Sequence, residues 1–464
     1  MVDLEQAVQA VENGLLPAIR IAGRPQRSFG LADRMARYHV PGFSMALVQG
    51  AEMAWSKAVG LQQAGGDEPV TGETLFQAGS ISKPVSAMAA LRLVEDGVLD
   101  LDADVNEALR SWQVPENEHT HRQKVTLRGL LSHSAGLTVY DYRGYPAGQD
   151  LPTVQQILDG RPPANSEPVR VFQQPGAGQR YSGGGYVVMQ QLLEDVTGQP
   201  FADVVQALVL DELGMANSTF EQPLPGARAA RAATAHRGSG DPVPGRWHTY
   251  PERAAAGLWT TPSDLARFVV EILKSYAGAS NAVLSVEMTR QMLTLPPGGW
   301  YGLGFYLIEA EGRMRFQHPG WNEGYHAFVG GEVSTGEGVA WMSSGENGIL
   351  LGLEMLRGLA KVLGWSGFEQ MEKSIAQVDP AVYARYEGRY RYVEYPEYGA
   401  VIAREGDRLV WEEVPDGMRY ELYPESDTRF FACERWEPIT FVGGAGGAVE
   451  AMMVGEGERL ERVS

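Results

Sequence analysis

The chain has 464 residues, 44% of them hydrophobic and 21% charged, with a net charge of -19 and one cysteine. This length exceeds one ordinary hydrophobic core and predicts two or three domains. The acidic balance argues against a nucleic-acid backbone or an anionic membrane as partner, and one cysteine excludes an internal disulfide framework.

In chain order, Leu4, Val8, Val11 and Leu15 recur at three- and four-residue intervals and predict a helix within residues 1–20. The opening stretch MVDLEQAVQAVENG is acidic and amphipathic, so neither a secretory leader nor a membrane span is expected. A cytoplasmic location is the default expectation. GFSMALVQG and AEMAWSKAVGLQ, around 42–62, read as a strand pair joined by a turn. From Ser82, SKPVSAMAALRLVEDG reads as a mostly buried helix that stops at Gly97. Residues 136–182 are rich in polar, aromatic and turn residues and read as a long rim of loop. TTPSDLARFVVEILKSY predicts a capped helix near 262–276. WYGLGFYLIEA, EGRMRFQHPG, YHAFVGGEV and EGVAWMSSG then return the chain to antiparallel sheet, and LGLEMLRGLAKVLG predicts a helix at 351–364. Beyond about 376 the texture changes to short alternating segments with turns such as EGDR. That pattern predicts a small all-β domain over 376–464, a meander closed or nearly closed on itself, after a domain spanning 1–375.

The chemistry-bearing stretch is FQAGSISKP, with Ser80 three residues before Lys83. Residues three apart share one helical face, so hydroxyl and amine come within reach of each other. A serine hydroxyl is a weak nucleophile until a base removes its proton, and a lysine in a closed site can lose its own proton or lend positive charge. S-x-x-K alone is also what an N-cap serine and a solvated lysine look like. Only six lysines occur in the chain, however, and this one heads an apolar helix.

Four further landmarks accompany SISK: TLRGLLSHSAGL at 126–137, YSGGGY at 181–186, AAGLWTTPSDLARF at 255–268 and HPG at 318–320. In this order and spacing the chain resembles the penicillin-recognising serine hydrolases, a superfamily marked by S-x-x-K. That group includes class C β-lactamases, D-Ala-D-Ala carboxypeptidases, D-aminopeptidases and β-lactamase-like esterases. The resemblance implies an α+β fold, with an antiparallel sheet flanked by helices and a helical subdomain. It also implies that the C-terminal β domain is a lipocalin-like barrel. Carried over by position, Ser80 is expected as the acylated nucleophile, Lys83 as its partner and Tyr181 as the general base. His318 stands in the third motif and is expected to bond the Tyr181 oxygen or a substrate carboxylate. The backbone N–H groups of Ser80 and Trp321 are expected to form the oxyanion hole. Gly183, Gly320, Trp321, Glu323 and Tyr325 are expected along the substrate cleft, with the aromatics of 140–145.

Two departures bear on substrate. Gly183 replaces an amide side chain that the family uses to hold a substrate carbonyl, and His318 replaces a lysine. Both changes disfavour β-lactams and C-terminal carboxylates, so the expected activity is a serine hydrolase acting on small carboxylic esters or amides. A peptidase on short peptides is the rival, with Glu323 the carboxylate available for an ammonium end, and a non-hydrolytic sensor is the third reading. No cofactor and no metal are expected: His119 and His121 have no third ligand in register, and His133 is not in a zinc motif. His133 is expected to brace a loop, and Cys433 to be a buried, inert thiol.

Overall fold

The computed structural model describes residues 3–393, 395–443 and 448–463. The chain divides into two compact units. Of the described residues, one unit contains Pro41–His236 and Pro242–Glu346; the other contains those up to Val40, Arg237–Asp241 and those from Asn347 onward.

The first unit is built on a six-stranded antiparallel sheet in the order Glu52–Gly60, Gly42–Gln49, Glu337–Ser343, Tyr325–Glu332, Arg313–Asn322, Tyr306–Ala310. The central strands Gly42–Gln49 and Glu337–Ser343 are buried on both faces, which is why they read as continuous apolar runs. Helix Pro262–Tyr276 packs on this sheet. Thr261 caps it by accepting from the Asp264 N–H, and Pro262 occupies its first turn, where a missing N–H costs nothing. Helix Ser82–Glu95 is buried along nearly its whole length and lies inside the helical half, against Gly183–Thr197, Phe201–Val205 and Arg253–Ala256. One continuous hydrophobic cluster, from Ala46 to Met342, joins sheet and helices. The 136–182 segment, expected as loop throughout, contains a helix at Val154–Asp159 closed by a Thr153–Gln156 capping box.

In the second unit, helix Leu4–Asn13 packs on helix Gly348–Leu363. The chain then forms strand Ile19–Ile21, which pairs in parallel with Met371–Lys373. Eight antiparallel strands between Gly388 and Arg462 close into a barrel, the first strand bonding to the last. The architecture is therefore α+β followed by a small closed all-β barrel, as the alternating C-terminal pattern predicts. Cys433 departs from its expected burial on a strand. It lies in a turn, half-buried, and desolvation pushes its thiol up to about 11, which leaves it unreactive at neutral pH.

Candidate active site

Ser80 lies in a single 3-10 turn, Gly79–Ile81, that runs directly into helix Ser82–Glu95. The turn is held from behind by Ser82, whose hydroxyl donates to Gly79 O at 2.6 Å and accepts from the Leu258 N–H at 2.9 Å. Lys83, one residue further and 2% exposed, places Nζ 2.9 Å from Ser80 Oγ and donates to Ala255 O at 2.9 Å. Desolvation lowers its ammonium from 10.5 to about 7, with only the Asp141 carboxylate opposing the shift. Near neutral pH about half of Lys83 is thus a free amine beside the hydroxyl.

Tyr181 immediately precedes helix Gly183–Thr197. Ser182 caps that helix by accepting from the Gly185 N–H at 3.1 Å, and its own hydroxyl donates to Thr138 O at 2.7 Å. The Tyr181 ring lies 5.0 Å from Lys83 Nζ. Burial raises its phenol well above the usual range, and a hydrogen bond with Ser80 works against that rise. The resting tyrosine is therefore a neutral phenol, not a phenolate.

His318 lies on strand Arg313–Asn322, one residue past the last pairing with the outer strand, Tyr306 opposite Gln317, so the sheet edge opens at this point. The next residues of the strand lie against the turn that carries Ser80. Gly79 has φ +51°, and a Cβ there would come 2.5 Å from Trp321 N; a Cβ on Gly320 would come 2.0 Å from Ala78 O. Only two glycines allow the two backbones to approach this closely. His318 is fully buried, and both ring nitrogens are engaged: Nδ1 with Pro319 O at 2.6 Å and Nε2 with the Tyr301 hydroxyl at 2.9 Å. A carbonyl can only accept, so Nδ1 carries the proton; the Tyr301 hydroxyl, 2.9 Å from Nε2, also lies 2.9 Å from Gly304 O, and its single proton is shared between these two acceptors. Burial and Lys83 depress the imidazole to about 3, so it is neutral at all working pH values. The expected bond to the Tyr181 oxygen is replaced by the one to Tyr301, and the two rings of His318 and Tyr181 stand 6.3 Å apart.

The expected cleft residues divide. Trp321 is 36% exposed, and its indole donates to Glu346 Oε1 at 2.7 Å; Glu323 is half-buried, and its N–H donates to the Tyr250 hydroxyl at 3.0 Å. Tyr325 is not a cleft residue. It is fully buried against Trp259, its hydroxyl spent on Ala233 O, because it points to the core side of its strand. Of the 140–145 aromatics only Tyr140 is exposed, 5.0 Å from the Tyr181 ring, whereas Tyr142 and Tyr145 are buried. Gly183 donates its N–H to Tyr140 O, and any Cβ there would be tight against Tyr140 O and the Tyr142 ring, both at 3.1 Å. The space for an amide side chain is filled by the neighbouring loop.

Several neighbours were not foreseen. Trp300, Tyr301 and Tyr306 form an aromatic wall beside Tyr181, with Tyr306 stacked at 6.2 Å. The signal was present in the four aromatics of WYGLGFY, three of which form the wall, but the stretch reads as ordinary strand packing. Glu346 also joins the rim. Burial pushes its carboxyl up, but His326 and the N–H groups of Gly324 and Trp321 more than offset this and hold it below its ordinary range. Among the described residues no cluster of metal-binding side chains occurs, and no helix is long and apolar enough to cross a membrane.

A penicillin-binding protein of Bacillus subtilis (strain 168) is 23% identical over 93% of this chain and 97% of its own length. Esterase EstB of Burkholderia gladioli is 33% identical over 49% of this chain and 58% of its own. Among solved structures, the octameric penicillin-binding protein homologue from Pyrococcus abyssi superposes with a TM-score of 0.58 at 22% identity, covering 93% of this chain and 98% of that one. Most directly, the family model described as Beta-lactamase matches residues 31–363, well over half of the sequence and all of the landmarks quoted above. The chain is a member of the beta-lactamase family, which carries with it a serine-hydrolase type of reaction.

Proposed function

We propose that this protein is a hydrolase of small carboxylic esters or amides that works through an acyl-enzyme on Ser80. The observation that carries the reading is Lys83 Nζ at 2.9 Å from Ser80 Oγ, in an environment that holds it near pKa 7. A free amine at that distance is a competent general base for the hydroxyl. Ser80 Oγ attacks the substrate carbonyl as its proton passes to Lys83. The oxyanion is received by the N–H groups of Ser80 and Trp321, whose backbones the two glycines bring together. Tyr181, a neutral phenol bonded to Ser80, hands a proton to the departing alcohol or amine and is reprotonated from Lys83. Water then attacks the acyl group, its proton following the same path back, and Ser80 is released. In this scheme Lys83 is the base and Tyr181 the relay, because burial stabilises the uncharged form of both.

The filled space at Gly183 and the neutral His318 support esters and simple amides over β-lactams, which need a gripped amide and a paired carboxylate. A second reading, a peptidase or amidase for substrates with a free amino end, is favoured by Asp141, whose negative field reaches Lys83. A carboxylate whose field reaches the site would attract an ammonium group, a role expected of Glu323.

A fluorophosphonate probe or p-nitrophenyl acetate should label Ser80, mapped by peptide mass spectrometry, and Ser80→Ala should abolish labelling. An adduct confined to another residue would sink the proposal. A burst without steady turnover on esters, β-lactams and short peptides would identify a sensor. A preference of about tenfold or more, about 1.4 kcal/mol, for an alanyl-anilide over p-nitrophenyl butyrate would select the second reading.

A further inference from the structure

His133, expected from the sequence to brace a loop, has no part in the acyl-transfer scheme, yet it is buried among the residues of the site. It follows helix Leu127–Leu131, which Thr126 caps, and it adopts φ +57°, a left-handed conformation uncommon for a residue with a side chain. That turn directs both its carbonyl and its ring at one short segment. The Arg180 N–H donates to His133 O at 2.7 Å, and the Ser182 N–H donates to His133 Nδ1 at 3.1 Å. The backbone N–H groups of the residues just before and just after Tyr181 are thus held by a single residue. The ring itself lies 4.2 Å from the Tyr181 ring and 4.4 Å from that of Tyr301.

We infer that His133 is a positioning residue that brackets Tyr181 from both sides and fixes the phenol over Ser80 and Lys83. This rests on the reading of Ser80, Lys83 and Tyr181 as the acyl-transfer machinery. An amide N–H can only donate, so Nδ1 is bare and the ring is the neutral Nε2–H tautomer. Protonation would remove the acceptor for Ser182 and place a second positive charge beside Lys83. Burial first, then Lys83 and His318, depress the imidazole well below 6.5, so the bracket stays intact across the working pH range. The titratable groups that face it are Lys83, Tyr181, Tyr186, Tyr301 and His318. The side-chain half of the bracket has a chemical substitute: asparagine tolerates the left-handed conformation and carries Oδ1 where histidine carries Nδ1.

The test compares His133→Asn with His133→Leu by rate of acylation with p-nitrophenyl acetate, with Tm as the check on folding. His133→Leu should lose about 100-fold or more in kcat with KM nearly unchanged, since a misplaced proton relay fails in the transition state. His133→Asn should stay within about tenfold of the parent and keep its pH profile, which Lys83 sets. A folded Leu variant with parental kcat overturns the inference. So does an Asn variant as slow as the Leu variant, because the ring and not the acceptor would then matter. If leucine at φ +57° does not fold, His133→Gly takes its place: glycine accepts the conformation without strain, and parental kcat in that variant overturns the inference equally. Ser80→Ala in the same assay separates the two levels. Full activity there overturns the Ser80 reading itself, whereas an inactive Ser80→Ala beside an unimpaired His133→Leu overturns only the bracket.

Discussion

Burying an ammonium group strips it of water, and Lys83 gains only two hydrogen bonds and the field of the Asp141 carboxylate in return. The outcome is an amine that titrates near 7 where an unfolded lysine titrates near 10.5. Two consequences follow at this scale. Acylation of a small ester should rise about tenfold per pH unit below pH 7 and level off above it, because only the free amine accepts the Ser80 proton. A profile flat from pH 5 to 8 would exclude Lys83 as base. The unfolded chain binds the additional proton between pH 7 and 10.5, so stability contributed at this site rises with pH across that window, and the full cost is present below 7. Lys83→Met should therefore be inactive yet more stable than the parent by about 3 kcal/mol at pH 6, the gain vanishing at about pH 9 and becoming a loss of about 2 kcal/mol above about pH 10.5, where only the missing hydrogen bonds count, as measured by denaturant unfolding. In the sequence, the Ser80–Lys83 pair was legible because helical spacing alone makes two residues neighbours. Tyr325, Tyr142 and Tyr145 were misread because an aromatic near a cleft in sequence carries no mark of which side of its backbone it faces. The partner of His318 was invisible for a related reason: Tyr301 is 17 residues upstream, across an intervening strand.

Among the elements, the short helix Arg253–Ala256 has the largest share in holding the site. Its consecutive carbonyls at 254, 255 and 256 accept from Ser86, Lys83 and Asn322, fixing helix Ser82–Glu95 and the sheet edge to one small frame. Four residues cannot hold a helix by propensity. Gln190 supplies part of the support, its amide accepting from the Ala254 N–H and donating to Pro251 O. Glu252 sits at the N-terminal cap, fully buried, and desolvation raises its carboxyl to about 8. Burial, and then this same Glu252, also push the phenols of Tyr142 and Tyr145 up. The folded protein thus keeps a proton on Glu252 between pH 4.5 and 8 that the unfolded chain has released. Stability from this group is present at low pH and falls as pH rises to 8. Glu252→Gln, isosteric with the protonated acid, should remove that loss, giving a variant more stable at pH 8 by on the order of 2–4 kcal/mol but little changed at pH 5. Equal Tm differences at the two pH values would show that the carboxyl is ionised throughout. Helix Pro262–Tyr276 was readable from its Thr-Pro cap and periodicity. The Arg253–Ala256 helix was not, because its stability lies in tertiary hydrogen bonds and its sequence, RAAA, has no cap and no period.

For the whole molecule, the C-terminal segment poses the sharpest question of independence. Alternation of apolar and polar residues made its β character legible, and the turn sequences made the hairpins so. What no local pattern carries is strand Ile19–Ile21, which pairs with Met371–Lys373 some 350 residues away, or the packing of Ala18 and Ile19 on Phe431. Arg34 and Tyr38 likewise bond the buried Glu354 carboxylate at 2.9 and 2.8 Å. The N-terminal forty residues therefore belong to the compact unit that contains the barrel. The barrel nevertheless closes through its own hydrogen bonds, Tyr390 opposite Arg462 and Tyr392 opposite Leu460, so its first and last strands cover each other's edges. Its interior is filled from within, by Tyr386, Tyr390, Phe430 and Phe441 in mutual ring contact. Residues 376–464 should accordingly express as a soluble, monomeric fragment with a β-type circular dichroism spectrum and a cooperative thermal transition. The fragment loses the cover over Phe431, which leaves an apolar side chain exposed, at a cost of about 1.5–3 kcal/mol. Its Tm should rise when Phe431 is replaced by Thr, whereas the same replacement in the full chain should lower stability, since there the ring is covered. A fragment that is disordered, with or without the Phe431→Thr change, would place the boundary elsewhere and make the N-terminal segment an obligate part of the barrel's folding unit.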